Sequence, residues 1–158
     1  SSLLDAKELF PDNLVLTKTF SKAYGLAALR LGFMVASEPF IEQILKVRGP
    51  YDVNQFAVEA GKLVLRHRAM VLEYVQRVMD VHKPKVEELL RRKQIGFFES
   101  SANFILLREA QPELEQVLKR HRVRYRPMSA AGIRGQFRLS IGGKSSTEAL
   151  LKALREFK

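Results

Sequence analysis

Apolar residues recur along this chain with two periods, and the switches between those periods set the order of its elements. Leu3 to Phe10 follows a helical period that Pro11 stops, and Asn13 to Phe20 reads as a strand running into a polar, glycine-containing turn. A second apolar run, Leu31 to Ala36, predicts another buried strand. Pro39 suits the first turn of a helix over Phe40 to Val47, which Gly49 and Pro50 end. After an irregular stretch through Asn54, Gln55 to His67 returns to helical spacing. Met70, Leu72, Val75, Val78, Met79, Val86, Leu89 and Leu90 mark a long amphipathic helix from Ala69 to Lys93, in which Pro84 predicts a kink or a break. Beyond it the pattern predicts strands over Gly96 to Glu99 and Ala102 to Leu107, then a helix over Pro112 to His121. Strands over Val123 to Arg126 and Gln136 to Ile141 precede a closing helix, capped by Ser145 or Ser146 with Glu148 in its first turn.

Strands alternating with helices indicate α/β architecture, yet the first segment offers only two strands and no sheet to complete them. Residues 1–64 therefore read as the remnant of a larger domain, and residues 65–158 as a long connecting helix followed by a small α+β domain. The chain opens on Ser-Ser-Leu-Leu without methionine and closes on a finished amphipathic helix, which predicts that it is incomplete at its N-terminus.

Composition changes this picture little. A hydrophobic content of 46% suffices for a core, and every apolar run is interrupted by charge well short of a membrane span. Asp5, Lys7 and Glu8 stand where a signal peptide would need an apolar region, so the default location is cytoplasmic. Without cysteine there are no disulfides or thiolate metal sites, and His67, His82 and His121 have no ligand spacing, so no metal is expected. The net charge of +10 raises the possibility of a nucleic-acid partner. Its basic residues, however, run from Lys7 to Lys158 without aromatic interleaving, which favours solvated helix faces and a small anionic ligand. A non-enzymatic module that binds polyanions is the alternative from a different functional class.

Chemistry concentrates in Thr17-Lys18-Thr19-Phe20-Ser21-Lys22-Ala23-Tyr24-Gly25-Leu26-Ala27-Ala28-Leu29-Arg30. The hydroxyls of Thr19 and Ser21, the Lys22 amine and the Arg30 guanidinium surround one turn after a strand. Two hydroxyls and an arginine fork suit a phosphate dianion, and a lysine beside them can condense with an aldehyde if it is partly deprotonated.

This stretch resembles the signature around the Schiff-base lysine of fold-type I aminotransferases, and in particular their histidinol-phosphate branch. Thr19, Ser21 and Arg30 match its phosphate-binding positions and Lys22 its lysine, while Ala28 departs from a glycine common there. Three further stretches, Gly49 to Asn54, Ser101 to Phe104 and Phe137 to Gly142, are similar to segments of that branch in the same order.

The resemblance implies the C-terminal part of a pyridoxal-phosphate-dependent transferase fold. It implies pyridoxal 5'-phosphate as cofactor, small amino and keto substrates, and a homodimer to which Tyr51 and Asn54 contribute across the subunit interface. Arg138, with Arg126, would grip the anionic end of the substrate. The implied reaction is transamination between histidinol phosphate and 2-oxoglutarate in histidine biosynthesis. Another aminotransferase or a threonine-phosphate decarboxylase of the same fold would use the same lysine. The family's phosphate loop, stacking aromatic and pyridine-pairing aspartate all precede the region matching Ser1, so the chain by itself is expected to be inactive.

Overall fold

The computed structural model describes residues 13–109 and 111–157, and the helix expected over Leu3 to Phe10 lies outside the described residues. Two compact units emerge, Ser1–Val71 and Leu72–Lys158.

In the first, β1 (Leu16–Thr19) pairs antiparallel with β2 (Gly32–Val35), Leu16 opposite Val35 and Thr19 opposite Gly32. Gly32 is required by the approach of the strands, since a Cβ there would lie 2.8 Å from the Lys18 carbonyl oxygen. Helix α1 (Glu38–Val47) starts after Ser37 with Pro39 in its first turn, where a missing N–H costs nothing. Helix α2 (Gln55–Arg66) starts at Asn54, whose Oδ1 accepts from the Ala57 amide at 2.8 Å. Ala57 and Gly61, one turn apart, form its buried face, and a Cβ on Gly61 would meet the Leu31 side chain at 2.5 Å. The expectation of buried strands is overturned. Phe33 is 42% exposed and Met34 39%, because no other strand among the described residues flanks the hairpin.

The second unit begins within helix α3 (Arg68–Gln76), which continues through a π-helical segment, Arg77–His82, into α4 (Lys83–Arg92). The expected break at Pro84 is thus absorbed in helical backbone. A proline lacks the amide that would bond four residues back and crowds that carbonyl, and the wider π turn just before it makes the room. Strands β3 (Phe97–Phe98), β4 (Phe104–Leu107), β5 (Arg126–Pro127) and β6 (Phe137–Ser140) form an antiparallel sheet in the order β3-β4-β6-β5. The fifth expected strand is displaced, since the ladder begins at Arg126 rather than Val123.

Helices α5 (Pro112–Arg120) and α6 (Lys144–Glu156) join α4 on the inner face of this sheet. Ile105, Leu107, Phe137 and Leu139 point inward, pack with Val86, Leu90, Leu114, Leu118, Leu150 and Leu154, and each contributes about 1.5–3 kcal/mol by leaving water. The cap of α6 also differs from expectation. Gly143 occupies it, Ser146 Oγ donates to the Gly143 carbonyl oxygen at 2.9 Å, and Glu148 falls beyond the first turn. No described helix is long and apolar enough to cross a membrane.

Candidate active site

Thr19 ends β1, and Ser21, Lys22 and Arg30 belong to the loop that joins it to β2. The Phe20 amide donates to the Leu31 carbonyl oxygen at 3.0 Å and closes the base of this loop. Phe20 is 4% exposed, and its ring lies 4.9 Å from Tyr24 and 6.0 Å from Phe33, so an aromatic cluster anchors the turn. Backbone bonds do the rest. The Gly25 amide donates to the Lys22 carbonyl oxygen at 2.9 Å, and Leu26 to Phe20 at 2.9 Å. Gly25 has φ +70°, in the left-handed region that a glycine enters freely. A single 3-10 turn, Ala27–Leu29, then delivers Arg30, which itself stands at φ 53° and donates from Nη1 to the Ala27 carbonyl oxygen at 3.3 Å.

Apart from that Arg30 Nη1 bond, the side chains so placed keep their donors open. Thr19 Oγ1 accepts from the Ser21 amide at 3.1 Å, which leaves the threonine O–H available, and Ser21 is half-buried beside it. Lys22 is exposed, and among the described residues it has no ion-pair or hydrogen-bond partner and Arg30 has no carboxylate partner. Hydroxyls, an uncommitted amine and an unpaired guanidinium around one turn are the donor set that a phosphate with a neighbouring aldehyde requires.

Tyr51 and Asn54 stand elsewhere in this unit. Arg48 donates from Nε to Asp52 Oδ2 at 2.7 Å and from Nη2 to Oδ1 at 2.9 Å, and this fork closes the loop over Gly49-Pro50-Tyr51. Tyr51 rides at its apex, 93% exposed. The Arg48 hydrogen bond holds the Asp52 carboxyl below its ordinary value. Sequence reading missed this clasp, although an Arg and an Asp flanking Gly-Pro at a spacing of four were visible.

In the second unit the sheet brings Arg126 and Arg138 together as direct cross-strand neighbours. Alternation sends Phe137 and Leu139, each 1% exposed, inward and Arg138 to the outer face. Two like charges directly opposite each other destabilise a sheet, and among the described residues no carboxylate pairs with either. Arg138 stacks instead on Phe104, with its guanidinium carbon 5.0 Å from the ring centre. Its Nε is buried without a hydrogen-bond partner. Phe104 lay inside one of the matched segments, but only the sheet register shows its contact with Arg138. Asn103 donates from Nδ2 to the Ile141 carbonyl oxygen at 3.3 Å, a strand-end bond. A groove of about 630 Å³ between α4 and α6, lined by Lys85, Leu89, Leu151 and Arg155 among others, holds none of these residues. Among the described residues no group of histidines and carboxylates is arranged to hold a metal.

Comparison with known proteins joins these features. The family model for aminotransferase class I and II matches residues 5–157. A histidinol-phosphate aminotransferase of Oceanobacillus iheyensis is 33% identical over 92% of this chain and 40% of its own length. The structure of a histidinol-phosphate aminotransferase from Sinorhizobium meliloti, in complex with pyridoxal 5'-phosphate, superimposes with a TM-score of 0.73 at 18% identity, covering 93% of this chain and 42% of that one. The L-threonine-O-3-phosphate decarboxylase of Porphyromonas gingivalis does so with a TM-score of 0.72 at 27% identity, covering 98% and 49%. The chain thus spans about two fifths of the length of the curated relatives it matches, and by its sequence and its fold it belongs to the class I and II aminotransferases.

Proposed function

We propose that this chain supplies the lysine, the cofactor-phosphate donors and the substrate-anion grip of a pyridoxal-phosphate-dependent aminotransferase that acts on histidinol phosphate, with glutamate and 2-oxoglutarate as the exchange pair. Lys22 Nζ would hold the cofactor by its aldehyde, and Thr19, Ser21 and Arg30 would hold its phosphate. When bound, the cofactor supplies the electron sink for the bond broken at the substrate carbon. The Lys22 amine would take and return the proton at that carbon.

The observation that carries the substrate assignment is the Arg126–Arg138 pair. Two arginines that are cross-strand neighbours, neither paired with a carboxylate among the described residues, are matched by a phosphomonoester, which brings up to two negative charges. Curated relatives at this level of identity bear the histidinol-phosphate name, which supports the same choice. Tyr51, exposed at the apex of its clasp, and Asn54 beside it extend the site of a second subunit in a homodimer. The division of roles follows domains of residues 1–64 and 65–158.

The test is chemical trapping. Pyridoxal phosphate is added, the adduct is reduced with borohydride, and peptides are mapped. Label is expected on Lys22 and lost in Lys22→Ala. Equal labelling of several exposed lysines, with no loss in that variant, would overturn the assignment.

A further inference from the structure

Gln136 sits just before β6, and the Met128 amide donates to its carbonyl oxygen at 2.9 Å. The pairing that sets Arg126 opposite Arg138 and Pro127 opposite Phe137 therefore extends by one more residue pair, Met128 with Gln136. With Phe137 turned inward, alternation places Gln136 and Arg138 on the same outer face, about 7 Å apart along the strand. Gln136 and Arg138 share a second property. Each has a buried polar atom without a hydrogen-bond partner, Oε1 in Gln136 and Nε in Arg138. The Gln136 Nε2 has no hydrogen-bond partner among the described residues either, so both N–H donors of an amide on the arginine side of the sheet are uncommitted.

A buried acceptor without a partner costs free energy that an apolar side chain at the same place would not incur. An amide held in this way is accounted for if its two N–H donors have a use. Beside two arginines the group that uses them is an anion. The planar arginine forks engage the oxygens of a carboxylate or phosphate in pairs. A tetrahedral phosphate has a further oxygen, which a carboxylate lacks.

Resting on the proposed role of Arg126 and Arg138 as the substrate's anion grip, we infer that Gln136 is a specificity-determining residue of that grip. Its NH2 donates to the additional phosphate oxygen and thereby selects phosphomonoester substrates over carboxylates. Its neutrality matters as well, since a carboxylate at this position would repel the same ligand.

The test uses the protein labelled with 15N, titrated with phosphoethanolamine and, separately, with β-alanine as the carboxylate counterpart. The Nε–Hε signals of Arg126 and Arg138 and the side-chain NH2 signals of Gln136 report binding. Gln136→Ala is expected to weaken phosphoethanolamine about tenfold, or about 1.4 kcal/mol, while leaving β-alanine within about twofold. Gln136→Glu is expected to weaken phosphoethanolamine further at unchanged amide dispersion, which separates recognition from loss of fold. Arg138→Ala is expected to abolish binding of both probes. Unchanged phosphoethanolamine affinity in Gln136→Ala, or an equal loss for both probes, overturns the role of Gln136 and leaves the arginine grip standing. Absence of any Arg138-dependent binding in the parent overturns the grip itself, and the inference with it.

Discussion

In Leu72–Lys158 the inner sheet residues Ile105, Leu107, Phe137 and Leu139 are at most 1% exposed, whereas in Ser1–Val71 Val47 remains 82% exposed, Phe56 74% and Met70 69%. The contrast lies in partners rather than in pattern. Helices α2 and α6 are both amphipathic, but α6 lies on a sheet with α4 and α5 beside it, while α2 buries only Ala57 and Gly61, the latter against the Leu31 side chain. An apolar face gains its stabilisation only from the surface that covers it. The candidate cofactor loop thus belongs to the unit with few buried contacts and depends on local hydrogen bonds and the Phe20 cluster. The candidate anion grip belongs to a packed sheet. Segments with few buried contacts open at low free-energy cost, and a ligand that binds only their ordered form stabilises them most visibly.

The sharpest way to break this comparison is to truncate one phenylalanine in each unit. Phe137→Ala is expected to destabilise Leu72–Lys158 by about 3–5 kcal/mol, because it deletes a ring from a filled core. Phe56→Ala is expected to change stability by no more than about 0.5 kcal/mol. Urea unfolding followed by amide NMR signals from each unit reads both. Comparable losses from the two variants would mean that Phe56 is covered and that the contrast is false.

A second contrast concerns charge. Lys83 is 7% exposed and donates to Glu87 Oε1 at 2.7 Å and to the Ser100 carbonyl oxygen, tying α4 to the start of the β4 segment. Glu87→Gln keeps the shape but leaves a buried ammonium without its counterion, and is expected to cost about 3 kcal/mol. The corresponding pair in Ser1–Val71, Glu59 with Lys62, has side chains 57% and 55% exposed, so Glu59→Gln is expected to produce no measurable change in the unfolding midpoint. A negligible effect of Glu87→Gln would show that water already reaches Lys83.

What could be read from sequence divides along the same line. The loop from Thr19 to Arg30 was legible because its chemistry is contiguous, and the structure adds the bonds that hold it without moving any member. Arg138 was legible as an outward residue, since strand alternation needs only its neighbours Phe137 and Leu139. The Arg126–Arg138 pairing, the Phe104 ring beneath Arg138 and the open amide of Gln136 were not, because they depend on register between strands far apart in the chain. The α6 cap went to Gly143 instead of a serine because the helix already begins at Lys144, with three residues between it and the end of β6, and Ser146 bonds back to the Gly143 carbonyl oxygen. Periodicity showed that the hairpin strands were apolar. It could not show that among the described residues nothing covers Phe33 and Met34.

The smallest expected effect comes from two exposed carboxylates, one in each unit, and it tests whether local and long-range clasps differ as the packing does. Asp52 is held below its ordinary value of 3.8 by the hydrogen bond from Arg48, four residues away. Glu156 is held below its ordinary value of 4.5 chiefly by the hydrogen bond from His121 at 2.6 Å, with Arg120 adding Coulomb attraction. A carboxyl whose pKa is depressed by folding stabilises the folded state fully above its unfolded pKa, and that contribution fades as pH falls through the folded value. Stability from the Glu156 clasp is therefore complete above pH 4.5 and declines below it. Because it joins the end of α5 to the end of α6, its loss is expected to lower the unfolding midpoint of Leu72–Lys158, and Glu156→Gln to flatten that acid limb. Asp52 closes only its own loop, so its protonation below 3.8 is expected to shift Tyr51 and Asp52 resonances while leaving the midpoint unmoved. Carboxyl 13C titration checks the assignments: His121→Ala moves the Glu156 titration up toward 4.5 and leaves Asp52 where it was, and Arg48→Ala moves Asp52 toward 3.8 and leaves Glu156. If the acid limb of unfolding follows Asp52 and ignores Glu156, the clasp between α5 and α6 does not support the packed unit and the contrast between local and long-range clasps is false.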